Sequence, residues 1–263
     1  MPPHGVSFAV FTKPWPDDSI EELADRVMGL GFDAAEIPVR PGFQVAPENA
    51  EKGLHELVER FADRQLSIVS IASTLEERVF AACAAAGVTL IRVMAPITRG
   101  HYLESEATVR RQLADAIPLC ERHGVQVGVQ QHYGDHVTDA VGLRSLLQGT
   151  DARWVGAIWD AAHDALAGLE PENGLDLVWE RLLMVNLKNA YYRRTNGPEA
   201  EIAQWDRHFT TGAHGLASWP RVAAELRRRE YHGAVCLTAE YSDADAVERL
   251  CRQDLAYAKG LFA

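Results

Sequence analysis

Residues 125–163 read VQVGVQQHYGDHVTDAVGLRSLLQGTDARWVGAIWDAAH, and this stretch decides the fold. Two apolar runs, at 125–130 and 154–159, flank the helix-like segment TDAVGLRSLLQ. The second run, WVGAIW, is continuous rather than alternating, which is how a parallel strand covered by helices reads. Each run ends in polar residues: Gln130 and His132 after the first, Asp160 and His163 after the second. The unit is therefore strand, helix, strand, with chemistry at the strand exits.

The same unit recurs in both directions. Strands are predicted near 6–11, 33–38, 66–71, 89–94, 125–130, 154–159, 182–188 and 234–240. Between them lie amphipathic segments such as SIEELADRVMGLG, ENAEKGLHELVERFADRQ, LEERVFAACAAAG, TVRRQLADAIPLCERHG and WPRVAAELRRREYHG. Ser19 with Glu22 has the form of a capping box, Gly31, Gly87 and Gly124 fall where left-handed helix caps belong, and Pro220 stands just inside a helix start. Eight strands alternating with helices, without a linker, predict one domain over 1–263, a single α/β domain of the (β/α)8 barrel type. No Gly-x-Gly-x-x-Gly follows the first strand, which weighs against a doubly wound dinucleotide fold.

In such a barrel the C-terminal strand ends meet at one mouth. That brings together Glu36, Gln130, His132, Asp160, His163, Asn186, Lys188 and Glu240. An acidic residue closing an apolar strand must face a metal, a cation or a water-filled opening, because burying it unpaired costs several kcal/mol, on the order of the ion desolvation penalty. Lys188 shares a strand face with Asn186 and would either steady an oxyanion or neutralise Asp160. Residues 189–218 form a connection too long for an ordinary loop and rich in aromatics, so an ordered lid is expected there. Within it, Asp206, His208 and His214 are chemical candidates; Gly212 and Gly215 around His214 suggest close backbone approach to a ligand, and Arg193 and Arg194 read as a solvated pair. Trp15 is a candidate wall against a sugar ring, while Trp159 reads as core.

Composition removes several classes of function. A net charge of −11 opposes nucleic acid binding, and the one dense basic run, Arg227–Arg229, reads as a solvated helix end. No apolar run approaches the length of a membrane span, and the N-terminus does not read as a signal peptide, so a cytoplasmic protein is expected. Cys83, Cys120, Cys236 and Cys251 form no Cys-x-x-Cys pair and read as reduced core thiols.

The segments GFDAAEIP, VGVQQH, WDAAH, VNLKN and TAEYSD, in that order, resemble the xylose isomerase-like TIM-barrel superfamily of sugar isomerases, epimerases and inosose dehydratases. The resemblance spans essentially the whole chain. It implies a divalent ion (Mn, Mg, Co or Zn) held by Glu, Asp, His and Glu, which fall here on Gln130, Asp160, Asn186 and Glu240. Two of the four are amides, which carry no charge and cannot act as bases. The superfamily's relay of two opposed glutamates therefore lacks one member, favouring elimination or dehydration over two-base epimerisation. The segment WDRHFTTGAHG also resembles the D-R-H element of the related apurinic endonuclease branch, implying that Asp206 and His208 replace the lost ligands.

The expectation is an enzyme that enolises a sugar or keto-sugar, with Glu240 or His163 as base and Lys188 supporting the enediolate. Metal contacts would come from Asp160, Glu240 and Gln130, and substrate contacts from Glu36, His132, Asn186, His208, His214 and Trp15. The alternative is a non-catalytic or metal-free sugar-binding barrel with a degenerate metal site. Self-association into a homo-oligomer is a further implication of the resemblance.

Overall fold

The computed structural model describes residues 5–263. Eight parallel strands close into a barrel: β1 (Ser7–Phe11), β2 (Ala34–Pro38), β3 (Ser67–Ala72), β4 (Leu90–Met94), β5 (Gln126–Gln130), β6 (Val155–Asp160), β7 (Leu182–Leu187) and β10 (Ala234–Leu237). Helices α1 (Ile20–Leu30), α2 (Ala50–Ala62), α3 (Glu77–Ala86), α4 (Tyr102–His123), α5 (Ala140–Leu147), α6 (Ala161–Ala167), α7 (Pro171–Val178), α8 (Trp219–Arg228) and α9 (Val247–Phe262) fill the connections. The (β/α)8 expectation is met. None of the described helices is long and apolar enough to cross a membrane.

Local signals end the helices where the sequence places them. Ser19 and Glu22 form a reciprocal capping box at α1, and Gly31, Gly87 and Gly124 take left-handed φ of 91°, 75° and 67°. All four cysteines are buried and free.

Strand alternation sorts the side chains into two layers. Outward residues such as Phe8, Val10, Ala157 and Trp159 join the large core beneath the helices. Inward, Ala9, Phe11, Ala34, Ala72, Leu90, Ile158, Met184 and Cys236 form a separate apolar plug. Gly128 is part of that plug's packing: a Cβ there would stand 2.6 Å from the Ile158 side chain. Two residues further along four of these strands, with the same inward parity, come Glu36, Arg92, Asp160 and Asn186. The apolar plug thus forms the floor on which a polar layer rests.

Two strand ends differ from the sequence expectation. β7 stops at Leu187 and β10 at Leu237, so Lys188 and Glu240 stand beyond their strands. The cause at β10 is Ala239, whose φ of +52° turns the chain immediately before Glu240. The long connection is ordered: β8 (Asn189–Arg194) pairs antiparallel with β9 (Trp205–Thr210), in register from Asn189↔Thr210 to Arg194↔Trp205.

Candidate active site

Every barrel strand, or the loop that leaves it, contributes to one polar ring around the mouth. Glu36 Oε1 accepts from Arg92 Nε at 2.7 Å and from Ser70 Oγ at 2.9 Å. Arg92 Nη1 donates to Gln130 Oε1, and Gln130 Nε2 donates to Asp160 Oδ2 at 2.9 Å. Asp160 also caps α6, its Oδ1 accepting from the backbone N–H groups of Ala162 and His163 at 3.0 and 3.2 Å. The Lys188 ammonium lies 3.9 Å from Asp160 Oδ2, 3.0 Å from His163 Nε2 and 2.8 Å from Glu240 Oε2. Lys13 ends the series at Glu240 Oε1, 2.8 Å away. Three cations and three carboxylates therefore alternate around the mouth.

Electrostatics fix the protonation states. Burial alone would strip the proton from Lys188, but Glu240 and Asp160 outweigh it and raise its pKa, so the ammonium persists. Burial likewise opposes charge on Glu240, yet Lys188 and Lys13 hold its carboxyl well below the usual range. For Asp160 burial wins and its pKa is raised, with Lys188 acting against the shift. Burial and then the Lys188 charge push His163 well below its ordinary value. Its imidazole is neutral, and a 3.0 Å contact with an ammonium requires the lone pair on Nε2. His132 is lowered to about 4 by the same two causes. Its Nδ1 donates to the Tyr133 carbonyl at 3.0 Å, which leaves the lone pair on Nε2.

Asn186 is the exception to this satisfaction. It is fully buried, lies beside Asp160 in the β6–β7 register, and neither its Oδ1 nor its Nδ2 has a hydrogen-bond partner. A buried unsatisfied polar group costs about 1–3 kcal/mol, so this amide sits at a net cost within the mouth.

A cavity of about 710 Å³ adjoins the ring at Arg92. Arg40, Ser73, Met94, Pro96 and His136 also line it. Among the described residues no carboxylate pairs with Arg40, whose pKa is lowered by burial and then by the like charge of Arg92.

The other sequence candidates lie apart from the ring. Asp206 is exposed opposite Arg193 in the hairpin, and the His208 ring packs 5.1 Å from that of Tyr191. His214 is exposed, with Nδ1 2.6 Å from Thr211 Oγ1. The glycines beside it serve packing rather than ligand approach: a Cβ on Gly212 would stand 2.4 Å from the Trp219 ring, and one on Gly215 2.1 Å from Asn189 Oδ1. Trp15 is in the core, with the Arg26 guanidinium 5.6 Å from its ring centroid. Trp159 is core, as expected. The hairpin meets the mouth through Phe209, whose ring lies 5.1 Å from Lys188 Nζ, and through Arg207, 4.1 Å over the ring of Tyr133.

The sequence reading missed Arg92, Ser70 and Lys13. Arg92 carried a signal: it is a charge at an inward position of the apolar run LIRVM, where only a buried partner could retain it.

A divalent ion does not suit these donors. Gln130 is committed to Arg92 and Asp160, and Asp160 and Glu240 already face the Lys188 ammonium. Asn186 alone has an uncommitted oxygen among the four positions, and among the described residues no three His, Cys, Asp or Glu side chains are grouped to hold a metal.

With this geometry in place, the comparisons with known proteins are consistent. The xylose isomerase-like TIM barrel family matches residues 24–261, and the chain belongs to that family. Among solved structures, it is similar to a 3-keto-D-glucoside 4-epimerase from E. coli, with a TM-score of 0.74 and 15% identity over 97% of this chain and 99% of the other. A probable 3-DHS dehydratase from Bacillus anthracis gives 0.70 and 14% identity, covering 95% of this chain and 98% of its own. The D-psicose 3-epimerase from Clostridium cellulolyticum H10, solved with D-tagatose, gives 0.72 and 13% identity over 98% and 99%. At such identities the likeness is one of fold. No curated protein matches the chain by sequence.

Proposed function

We propose that the chain is a sugar or keto-sugar isomerase, epimerase or lyase that acts by removing a proton next to a carbonyl. The observation that carries this reading is the Lys188–Glu240 pair, 2.8 Å apart at the mouth, with a cation and a carboxylate side by side. The hydrogen α to a carbonyl and the carbonyl oxygen are close neighbours in a ketose, so one such pair can address both.

Glu240 is the base. Its side chain is 23% exposed, whereas Asp160 and Glu36 are wholly buried and cannot touch a substrate. His163 is set aside as base because its side chain is wholly buried, whereas that of Glu240 is open to the mouth. Glu240 takes the α-proton, the C–H electron pair forms a carbon–carbon double bond, and the carbonyl pair moves onto oxygen. Lys188 donates to that oxygen. Return of the proton to the former carbonyl carbon, with the hydroxyl proton of the α-carbon passing to the enolate oxygen, isomerises the sugar; return to the α-carbon after the intermediate turns its other face to Glu240 epimerises it; and departure of a β-substituent with its bonding pair, as the enolate pair re-forms the carbonyl, completes an elimination. His132 Nε2, half-buried at the mouth, supplies a hydrogen bond to a hydroxyl group, and the cavity beside Arg92 admits the rest of the molecule.

The test is proton exchange. Aldoses, ketoses and 3-keto-sugars are incubated with the protein in D₂O and followed by NMR. Loss of an α-C–H signal with wild type, and its retention with Glu240→Gln, is the expected result. Sugar binding without exchange for any member of the panel would replace this reading with a non-catalytic sugar-binding barrel.

A further inference from the structure

We propose that Lys188 is a built-in substitute for a divalent ion: its ammonium occupies the ion's seat, so the chain performs its chemistry with a covalently held cation and excludes metal from the mouth. The inference rests on the enolising function above and names the electrophile.

Three independent features converge on it. First, the ammonium lies 2.8 Å from Glu240 and 3.9 Å from Asp160, the two acidic side chains that a mouth ion would use. Second, the positions without acidic ligands are accounted for by the same charge balance. A divalent ion needs several anionic donors, whereas a single positive charge is matched by fewer. Gln130 instead relays between Arg92 and Asp160, and Asn186 is neutral. Third, the seat is fixed rather than fortuitous. Lys188 is buried, His163 Nε2 accepts a third contact at 3.0 Å, and the Phe209 ring lies 5.1 Å from the ammonium. A charge so enclosed cannot share its seat with a second cation, because like charges a few ångströms apart in a low-dielectric site repel by several kcal/mol, on the order of the interaction of close charges near a protein surface.

Removing the ammonium should then restore a seat. Lys188→Ala leaves two carboxylates, the His163 Nε2 lone pair and a space the size of an aminobutyl group. Mn²⁺ is the probe, titrated into intact protein and read by electron paramagnetic resonance of the free ion, with no substrate present. Expected is no Mn²⁺ binding by wild type, uptake of one ion per chain by Lys188→Ala, and loss of that uptake in Lys188→Ala combined with Asp160→Asn. Stoichiometric Mn²⁺ bound by wild type would overturn the proposal, as would a folded Lys188→Ala that binds none. Should Lys188→Ala fail to fold in the absence of metal, Lys188→Ser puts a small polar side chain beside the vacated seat, and a rise in its melting temperature on adding Mn²⁺ replaces the resonance readout; no rise overturns the proposal. Because this readout needs no turnover, absence of α-proton exchange with every sugar would refute the enolising function alone.

Discussion

The two sides of the barrel mouth are built on opposite terms. On the side of β2 to β5, Glu36, Ser70, Arg92 and Gln130 are buried and bonded to one another. On the side of β7 and β10, Asn186 is buried without a partner, Ala239 holds a left-handed backbone, and Glu240 is partly open to solvent. The first side uses charge as structure. The second keeps unsatisfied groups, backbone strain and an accessible carboxylate, which are the features a site retains when something must bind. Asp160 joins the two, accepting from Gln130 on one side and facing Lys188 on the other.

The largest effect should come from the bonded side. Arg92→Met leaves Glu36 buried without its cation, and breaking a buried pair costs about 3–5 kcal/mol. Urea denaturation should show that loss. Glu240→Gln should cost less stability than Arg92→Met, because the buried Lys188 ammonium keeps Asp160 at 3.9 Å and a Gln oxygen still accepts from it, while α-proton exchange falls roughly 10²–10⁴-fold. If both variants lose comparable stability, the division of the mouth into a scaffold and a reactive side is wrong.

Asn186→Leu sharpens the contrast. Replacing an orphaned amide with a side chain of similar volume should stabilise the protein by about 1–3 kcal/mol, read from urea denaturation. A stability loss would show that the amide is already satisfied.

A smaller effect concerns pH. His132 is lowered from 6.5 to about 4 in the folded chain, with Lys188, His136 and Glu240 among its charged or titratable neighbours. The unfolded chain then binds more protons between those values, so stability should fall as pH drops from 6.5 toward 4. His132→Gln should flatten that part of the profile relative to wild type, measured from urea midpoints. An unchanged slope would mean that the imidazole is not shielded as described.

The smallest effect is expected at Ala239→Gly. Glycine relieves the left-handed φ, and its greater freedom when unfolded offsets part of the gain, so the net stabilisation should be below about 1 kcal/mol. A melting curve checks it, and a destabilisation would remove the argument that this turn is strained.

Much of the barrel is legible in the primary structure. The eight apolar runs, the capping box at Ser19 and the glycines closing α1, α3 and α4 are local signals, and local signals survive in one dimension. Five ring members, Gln130, Asp160, Lys188, Glu240 and Glu36, were also recognisable as polar residues at or beyond strand ends. Arg92 was overlooked because it lies within a strand, and Lys13 because nothing near it suggests an acidic partner 227 residues away. His208 stands opposite Tyr191 in the hairpin and His214 beside Thr211, and motif spacing says nothing about which way a hairpin faces.

By itself the amino-acid sequence determined the strand–helix periodicity, the number of βα units and the set of polar groups delivered to one end of the barrel. Those properties depend on neighbours a few residues apart. Only the tertiary structure decided which cation meets which carboxylate, that Asn186 is left unpaired, and that an ammonium stands between Asp160 and Glu240. Electrostatic partnership depends on distances of a few ångströms between residues far apart in the chain, and closure of the barrel sets those distances.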